Sequence, residues 1–402
     1  MLSGRYAVFT SYKMMENIKI TTGSYFDGEK YHNDGPYHIV INDGVISSIE
    51  RKNYQINVAF LMPGLVEAHC HLFLDGGELE LSKRSAYLKA SQEEMLSVGH
   101  KNIQQSIGAG ITLIRDAGDK YGVNHMLRND AQGVVIRSPG LALRSPKRYG
   151  SFMAREVESE DDIRAALSKN AVMSDDIKII LTGIIDFEAG AVKGHPQFDL
   201  EALKLIVQLS HEKGLKTYAH CSGEEGLTLA LAAGVDSIEH GFFMSRNILE
   251  QMAEKQVAWV PTFSPVHFQW QQPEMLGWDD TTVGNLRRIL DEHLLRVAMA
   301  ADIGVPLVAG SDAGSYGVNH GKALIDELFH FAEAGVNIAE ILRSATSRPR
   351  HMWGMKSADI KVGVCADFVA FGGSPFDDMA SLRKAVASYR NGSFMLPFEG
   401  EL

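Results

Sequence analysis

The sequence predicts an α/β protein whose central part is a (β/α)8 barrel. Between about residues 60 and 355, eight short apolar segments alternate with amphipathic, helix-like stretches such as SQEEMLSVGHKNIQQSIGAG. The two ends of the chain lack this alternation and read as strands separated by turns. Alternating β and α units favour a parallel sheet that closes into a barrel. A doubly wound open sheet is the structural alternative.

The ends of the chain predict one small side domain. NIKITTGSYFDG and YHIVINDGVISSIE alternate apolar and polar residues, and Asn-Asp-Gly supplies the chemistry of a hairpin turn. CADFVAFGG and KAVASYRNGSFML repeat the pattern near the other end. We therefore assign residues 1–60 and 356–402 to a composite β domain and residues 61–355 to the barrel.

The predicted barrel strands are short apolar runs that end in polar or small residues. In chain order they are FLMPGLVEAHC, GITLIRDAG, GVVIRSPGLAL, DIKIILTG, GLKTYAHC, VDSIEHG, VAWVPTF and VPLVAGSD.

Composition narrows the class of partner and the cellular location. The 402 residues include 39 Lys and Arg against 50 Asp and Glu, a net charge of −11. This balance argues against a nucleic acid or an anionic membrane as partner and leaves a small-molecule substrate. The three cysteines are too few and too scattered for a disulfide framework, which favours a reducing compartment. The start MLSGRYAVFTSYKMM has no apolar run long enough for a signal peptide, and no segment approaches a membrane span, so we expect a cytoplasmic protein.

Metal-binding residues stand at the ends of the predicted strands, where a barrel of this kind carries its chemistry. The first strand ends in His69 and His71, which are two residues apart and so point to the same face. His220, His240 and Asp312 end the fifth, sixth and eighth strands. One such histidine is more often a hydrogen-bonded structural residue, but this set indicates a site for zinc or a related divalent ion.

Lys178 interrupts the apolar fourth strand. Considered alone, it is best interpreted as a lysine whose ammonium reaches the rim or pairs with an acid. Burial beside cations would instead lower its pKa, and a neutral amine can add carbon dioxide to become a carbamate. A carbamate is anionic, and its two oxygens could bridge two metal ions.

Several motifs together resemble the amidohydrolase superfamily, in the branch that contains imidazolonepropionase-like enzymes and metal-dependent Xaa-Pro or Xaa-Arg dipeptidases. The resemblance covers nearly the whole chain. The matching motifs are LMPGLVEAHCH, GITLIRDAG, GLKTYAHCSGEEGLTLALAAGVDSIEHGFF, VPLVAGSDAG, NHGKALIDEL and IKVGVCADFVAFGGSPFDD.

The resemblance implies a binuclear amidohydrolase with two divalent ions, zinc or alternatively manganese or iron. One ion would be held by His69, His71 and Asp312, the other by His220 and His240, with N6-carboxylated Lys178 bridging them. It further implies attack by a metal-bridging hydroxide, with Asp312 moving the proton to the leaving amine. The terminal strands would form a β-sandwich, and a homo-oligomer is common in such proteins.

The substrate is less defined than the metal site. Ile184 follows Thr182-Gly183 where relatives have a second glycine, Ser222 replaces a histidine, and the loop at residues 184–198 is atypical. We expect a dipeptide-like substrate or an N-acyl amino acid. The candidate substrate-binding residues are Tyr218, His320, Arg144, Arg148, Tyr149 and His267. Alternatively, Arg144 and Arg148 belong to a solvated basic loop, and Tyr218 belongs to the core or supports the ligands.

Other interpretations stay open at this stage. A mononuclear deaminase or cyclic-amide hydrolase of the same superfamily would usually lack the lysine and would have a glutamate three residues after His220, where this chain has Gly223. An ester, lactone or organophosphate hydrolase could use the same site. A non-catalytic scaffold is disfavoured because such proteins usually lose ligands. Arg115 and Asp116 are expected to form a structural ion pair at the barrel mouth.

Overall fold

The computed structural model describes residues 17–390 and 392–396. Residues 1–16, 391 and 397–402 of the predicted terminal domain, including the start of the chain that was considered for a signal peptide, lie outside the described residues. The chain is an α/β protein, which confirms the predicted class. Within the described part, no helix combines the length and the apolar character needed to cross a bilayer.

Nineteen strands lie in the described part of the chain. They are β1 Asn17–Phe26, β2 Tyr31–His32, β3 Tyr37–Asn42, β4 Val45–Arg51, β5 Val58–Pro63, β6 Leu65–Cys70, β7 Ile111–Asp116, β8 Val135–Arg137, β9 Ala142–Arg144, β10 Ala154–Glu156, β11 Asp176–Ile180, β12 Ile185–Asp186, β13 Ala191–Val192, β14 Lys216–Cys221, β15 Ser237–His240, β16 Ala258–Val260, β17 Asp367–Phe371, β18 Ala385–Arg390 and β19 Ser393–Leu396.

Twelve α-helices occur in the same described residues. They are α1 Leu81–Tyr87, α2 Gln92–Gly108, α3 Val123–Asp130, α4 Glu160–Asn170, α5 Leu200–Glu212, α6 Glu224–Ala233, α7 Arg246–Lys255, α8 Ser264–Gln271, α9 Asp280–Ile303, α10 Lys322–Glu333, α11 Ile338–Ser344 and α12 Ser347–Met352.

Short polar residues start many of the helices. The side chains of Ser91, Asp199 and Ser245 each accept a hydrogen bond from the backbone N–H three residues later, at the starts of α2, α5 and α7. Asp279 does the same for the 24-residue helix α9. Such caps satisfy N–H groups that have no partner within the helix, so these boundaries are encoded locally.

The strands of the central region run parallel in two sheets, ordered β6-β7-β8 and β10-β9-β11-β14-β15-β16. Backbone hydrogen bonds link their ends: Asp175 N–H donates to Ser138 O (2.9 Å), and Ala68 N–H donates to Ala309 O (3.1 Å). A parallel bridge also joins Trp259 to Leu307. The hydrogen-bonded order therefore passes from β6 to β16, on to residues 307–309, and back to β6.

The eighth predicted strand, residues 305–312, is present only as an isolated bridge at Leu307, and a second bridge follows at Ala313. Its backbone is bonded partly to side chains, because Ser311 N–H donates to the Glu67 carboxylate (2.9 Å). Asp312 then has a left-handed backbone, with φ at 56°. Both features interrupt a regular ladder, so the prediction of a full strand here was wrong.

The strands from both ends of the chain form one eight-stranded sheet, with the order β19-β18-β17-β5-β1-β3-β4 and β2 paired to β1. One set of its side chains, including Ile39, Phe368 and Tyr389, forms a separate apolar cluster. Phe60 and Phe371 belong instead to the large core of the helices and parallel strands. The pairing of the two ends was predicted, and the sandwich arrangement stays a prediction.

A glycine separates this terminal sheet from the parallel strands. The predicted first barrel strand, FLMPGLVEAHC, is two strands: β5 lies between β1 and β17, and β6 pairs with β7. A Cβ on Gly64 would lie 2.1 Å from Thr112 Oγ1 and 2.3 Å from Asp367 Oδ1, so no other residue fits there. β5 therefore crosses the boundary that we placed after residue 60.

Candidate metal centre

Three of the predicted ligands converge at the carboxyl end of β6. His69 and His71 lie at that end, and Asp312 comes from the interrupted eighth segment. Their ligand atoms all lie within 4.8 Å of one another. Asp312 Oδ1 lies 3.4 Å from His71 Nε2 and 3.7 Å from His69 Nε2. Although burial opposes ionisation of Asp312, the two histidines hold its pKa at about 2, so this carboxyl is ionised at neutral pH.

Lys178 reaches the same place from β11. Its Nζ lies 3.4 Å from His69 Nε2 and 4.8 Å from the centroid of the Tyr218 ring. The side chain is fully buried, so it does not extend to the rim as the simpler interpretation required. Burial lowers the Lys178 pKa to about 8 despite the opposing charges of Glu239 and Asp312. A sizeable fraction of the amine is therefore neutral near pH 8.

His220 and His240 complete the group. Their ring centroids are 4.5 Å apart, and the His240 ring lies 5.0 Å from the His69 ring. Burial, with a contribution from Lys178, lowers the His220 pKa to about 3, and burial beside His220 lowers the His240 pKa as well. Both imidazoles are therefore neutral at pH 7, which is the form that binds metals.

Glu239 is a site residue that sequence reasoning missed. Its carboxylate accepts a hydrogen bond from His69 Nδ1–H (2.5 Å) and one from Arg115 Nη2 (2.9 Å). Ser237 Oγ donates a further short hydrogen bond to it. Burial opposes its ionisation, but Arg115 and His69 bring the Glu239 pKa down to about 2. The predicted pair of Arg115 with Asp116 was wrong, because the Asp116 carboxylate instead accepts the backbone N–H groups of two loop residues.

Glu67 links β6 to the eighth predicted segment, residues 305–312, on the side of the ligands that faces away from the proposed metal. Its carboxylate accepts hydrogen bonds from His69 N–H (3.0 Å), Ser311 N–H (2.9 Å) and Ser311 Oγ (2.5 Å). Gly310 makes this close approach possible, since a Cβ there would lie 2.8 Å from His69 N. The spacing between His69 and Asp312 is therefore set by a buried carboxylate and a glycine.

The candidate substrate residues nearest to the ligands are aromatic. Tyr218 is buried and donates its hydroxyl hydrogen to Asp116 O (2.9 Å). Its ring packs against the Arg115 guanidinium, so Tyr218 supports the ligands from inside the protein. The half-buried Tyr149 ring lies 5.3 Å from the His220 ring. Burial raises the Tyr149 pKa, which keeps its hydroxyl protonated and able to donate a hydrogen bond.

The basic candidates have structural partners. Arg144 is buried and donates to Glu156 Oε1 (2.7 Å) and to Arg148 O (2.6 Å). Arg148 is exposed and donates to His195 O. These contacts hold residues 144–156 and the 184–198 loop together, and a direct role in binding a substrate stays a prediction.

The last two candidates lie on other elements. His320 is buried, and its Nε2 faces Leu74 O at 3.3 Å; burial lowers its pKa to about 4. His267 on α8 packs against the His330 ring, 4.5 Å away. His267 and His330 line another cavity, of about 540 Å³, together with Asp326.

A cleft of about 780 Å³, lined by both apolar and charged side chains, lies next to the segment that follows His71. We call it the α1 cleft, and its apolar lining residues are Leu74, Leu81, Ala86, Tyr87, Leu88, Ala90, Val98 and Phe152. Leu74 follows His71 by three residues and donates its N–H to His71 O (3.0 Å). On the opposite side, the Phe152 ring lies 6.2 Å from the Tyr149 ring, next to His220.

The unusual loop after β11 forms a hairpin, β12–β13, which packs against α9. Asn285 Nδ2 donates to Phe187 O and Glu188 O, each at 3.0 Å, and the Phe187 ring meets the Trp278 ring. At its base, Lys193 O fills the space where a side chain on Gly183 would lie. This hairpin therefore forms a wall beside the end of β11.

The arrangement fits a divalent metal. Two ligands bound tetrahedrally to zinc at about 2.1 Å lie about 3.4 Å apart. The Asp312 and histidine atoms face one another at 3.4 and 3.7 Å, which is too long for good hydrogen bonds. Imidazole and carboxylate are also the donors that zinc and related ions take.

Comparisons with known proteins show the family of the chain. A family model described as "Amidohydrolase family" matches residues 60–393. An uncharacterized protein of Mycobacterium tuberculosis is 28% identical over 317 residues, which cover 79% of this chain and 80% of that protein. An ochratoxinase of Aspergillus niger is 23% identical over 355 residues, covering 80% of this chain and 72% of the relative.

Solved structures share the fold. The crystal structure of a Xaa-Pro dipeptidase with methionine bound in its active site superimposes with a TM-score of 0.81 at 23% identity, covering 95% of this chain and 100% of that one. The A. niger ochratoxinase structure gives a TM-score of 0.79 at 20% identity, covering 95% and 96%.

Proposed function

The chain belongs to the amidohydrolase family and is a hydrolase that acts on carbon–nitrogen bonds, and we propose that it cleaves an amide in a small molecule with the help of two divalent metal ions. The observation that carries the proposal is the convergence of His69, His71 and Asp312 with the buried Lys178. His220 and His240 adjoin them as neutral imidazoles.

In this proposal His69, His71 and Asp312 would hold one ion, and His220 and His240 would hold the other. Lys178 would help to hold both as a carbamate, which forms when its neutral amine bonds to the carbon of carbon dioxide and one proton leaves. When bound, the ions, zinc or alternatively manganese or iron, activate water and stabilise negative charge on the scissile carbonyl. Asp312 accepts the proton of the attacking water and returns it to the leaving nitrogen.

The α1 cleft supports a substrate with an apolar group on one side of the amide. A dipeptide-like compound or an N-acyl amino acid has this form, and proteins of similar fold include a Xaa-Pro dipeptidase and an ochratoxinase. Eight of the cleft's lining residues are apolar or aromatic, as is typical of pockets that take apolar groups, and charged residues such as Lys83 and Arg84 line the rest. The amide would lie at the ligands and its apolar group in the cleft.

The first experiment is a metal analysis combined with an activity screen. Protein prepared without chelators should contain close to two ions per chain, and the zinc- or manganese-loaded form should cleave members of a panel of dipeptides and N-acyl amino acids. Less than one ion per chain, with no activity after metal is supplied, would refute the proposal. If the protein cleaved only esters or lactones, the proposed amide substrate would be wrong and the substrate would belong to one of those classes.

The positions of Lys178 and Glu224 disfavour a mononuclear deaminase. Lys178 lies among the ligands, where deaminases of this superfamily usually have none. Glu224, one residue beyond the expected position, accepts a hydrogen bond from Ser245 Oγ (2.9 Å) at the start of α6. Ammonia release by a fully active Lys178→Ala variant would reverse this preference.

We also propose that the parallel strands form the predicted (β/α)8 barrel. The closed order of hydrogen bonds from β6 through β16 and residues 307–309 back to β6 supports it. The ligands then lie at the carboxyl ends of the strands, as in other enzymes built on this fold.

A further inference from the structure

Each of the four histidines of the centre has one ring nitrogen that points away from the proposed metal positions. The four differ in what contacts this outer nitrogen. His69 Nδ1 faces the Glu239 carboxylate at 2.5 Å. His240 Nδ1 faces the Thr262 hydroxyl at 2.7 Å. His71 Nδ1 has no hydrogen-bond partner among the described residues, and His220 Nε2 lies a long 3.4 Å from Gly183 O.

This difference decides which tautomer each ring holds. An ionised carboxylate only accepts hydrogen bonds, so His69 must carry its proton on Nδ1 and present the Nε2 lone pair to the centre. A hydroxyl donates or accepts equally well, so Thr262 leaves the tautomer of His240 undetermined. The Gly183 carbonyl also only accepts, but its contact with His220 is long, so within the described part of the centre His69 is the histidine whose metal-binding form is set by a short hydrogen bond to a charged acceptor.

The Glu239 carboxylate is itself fixed. Arg115 donates to it (2.9 Å) and also donates Nε–H to Ala68 O (2.8 Å), one residue before His69. The guanidinium is clamped between the rings of Tyr218 and Trp353, 4.2 and 4.8 Å from their centroids. Glu239 cannot rotate away from His69 without leaving this buried cation unpaired.

We propose that Glu239, anchored by Arg115, is a positioning residue that fixes the metal-binding tautomer of His69 and thereby makes the position formed by His69, His71 and Asp312 the tighter of two unequal metal positions. The inference rests on the proposed function. A carboxylate behind a ligand histidine fixes the ring and raises its basicity as a ligand, and its loss typically weakens metal binding about 10- to 100-fold.

The test is a titration of metal-free protein with Zn²⁺ against a chromogenic chelator. Wild type should bind two ions in two separate phases. In Glu239→Gln, Arg115 holds the amide oxygen, so the amide NH2 faces His69 Nδ1 and drives the proton to Nε2. The tighter phase should then weaken by about 10- to 100-fold while the weaker phase stays in place.

Thr262→Val is the matched variant for the other position. It keeps the branched shape and removes the partner of His240, so the tighter phase should not move. The proposal is overturned if Glu239→Gln leaves both phases unchanged, or if both variants shift the same phase by the same factor.

A rescue experiment separates positioning from general damage to the fold. In the double variant Glu239→Gln with Arg115→Met, the amide can turn its oxygen toward His69, so tight binding should return toward the wild-type value. Glu239→Ala with Arg115→Met has no acceptor and should stay weak. Both double variants lack the buried Glu239–Arg115 ion pair and differ only in whether an acceptor faces His69. Their comparison therefore tests the positioning role even if Glu239→Gln alone does not fold.

Nitrogen-15 NMR of the histidine rings gives a readout that does not depend on activity. His69 should carry its proton on Nδ1 in metal-free wild type and on Nε2 in Glu239→Gln. If wild type binds two ions with equal affinity, the inference fails and the proposed function stands. If wild type binds less than one ion per chain, both fail.

Discussion

His240 and Asp312 show how single residues shape the centre. Both are non-glycine residues with left-handed backbones, at φ values of 68° and 56°. Such conformations cost about 1–3 kcal/mol each and concentrate at functional sites. In a regular strand Glu239 and His240 would point to opposite faces. The left-handed turn at His240 breaks this alternation, so both side chains reach the centre.

This is why Glu239 could not be predicted. The spacing of His69 and His71, and the strand-end positions of His220, His240 and Asp312, follow from strand periodicity, and the structure brings these residues together. Glu239 violates the same periodicity. Arg115 was likewise assigned to its sequence neighbour Asp116, because a pairing across 124 residues leaves no local signal.

The proton-accepting role of Asp312 is tested by Asp312→Asn. The amide keeps the shape of the side chain but cannot accept the proton, so kcat should fall by about 10²- to 10⁴-fold. Turnover and metal content should be measured on the same sample, with circular dichroism as the control for folding. A variant that keeps its metal and loses less than tenfold in kcat would contradict this role.

Lys178 gives a prediction for pH. Only its neutral amine adds carbon dioxide, and its pKa in the metal-free protein is about 8. At a fixed concentration of dissolved carbon dioxide, the carbamate should form readily above pH 8 and decline as pH falls below it. Carbon-13 NMR of metal-free protein under labelled carbon dioxide measures the signal, and Lys178→Ala is the blank. A signal that persists unchanged at pH 6, or that survives in Lys178→Ala, would contradict the prediction.

At the scale of elements, helix α1 has a feature that sequence alone did not reveal. None of its seven residues is buried, and Leu81 is 53% exposed in the wall of the α1 cleft. The alternation of strands and helices is predictable from the sequence because apolar periodicity encodes it. No function for α1 follows from the sequence, because an exposed apolar side chain is common on protein surfaces.

Leu81→Asp tests the cleft as a substrate site. A charge in the cleft should lower kcat/KM about tenfold for substrates with a bulky apolar group, comparable to losing one apolar contact in a pocket. Substrates with a small acyl group should be affected less.

Leu295→Asp is the control, since Leu295 is 66% exposed on α9 and does not line the cleft. The measurement is kcat/KM of both variants for a series of substrates whose acyl groups increase in length. An equal loss for all acyl groups in Leu81→Asp, or the same pattern in Leu295→Asp, would argue against the cleft.

At the scale of the whole molecule, the terminal sheet and the parallel strands share one core. Phe60 of β5 and Phe371 of β17 contribute to the same large cluster as the helices that surround the centre. The sequence predicted that both ends meet, because each end alternates polar and apolar residues. It did not show where the first barrel strand begins, since the apolar run through Gly64 is continuous.

Phe371→Ala tests this shared core. Removing a fully buried ring should destabilise the protein by about 3–5 kcal/mol. Unfolding in urea, followed by circular dichroism and by the release of bound metal, should show both signals shifting together in one transition. Early melting of the terminal sheet with metal retained would show instead that the two parts are independent. Phe368→Ala, in the separate terminal cluster, provides the comparison.

The position of β5 has a consequence for synthesis on the ribosome. β5 pairs with β1 on one side and with β17 on the other, and some 300 residues separate it from that second partner. Until residues 367–371 emerge, one edge of β5 remains without its partner, and such edges recruit strands from other chains. The nascent protein must therefore keep its amino-terminal strands from pairing wrongly while the entire metal-bearing region is made. Shielding by chaperones and a pace of translation that limits this interval would both favour correct folding.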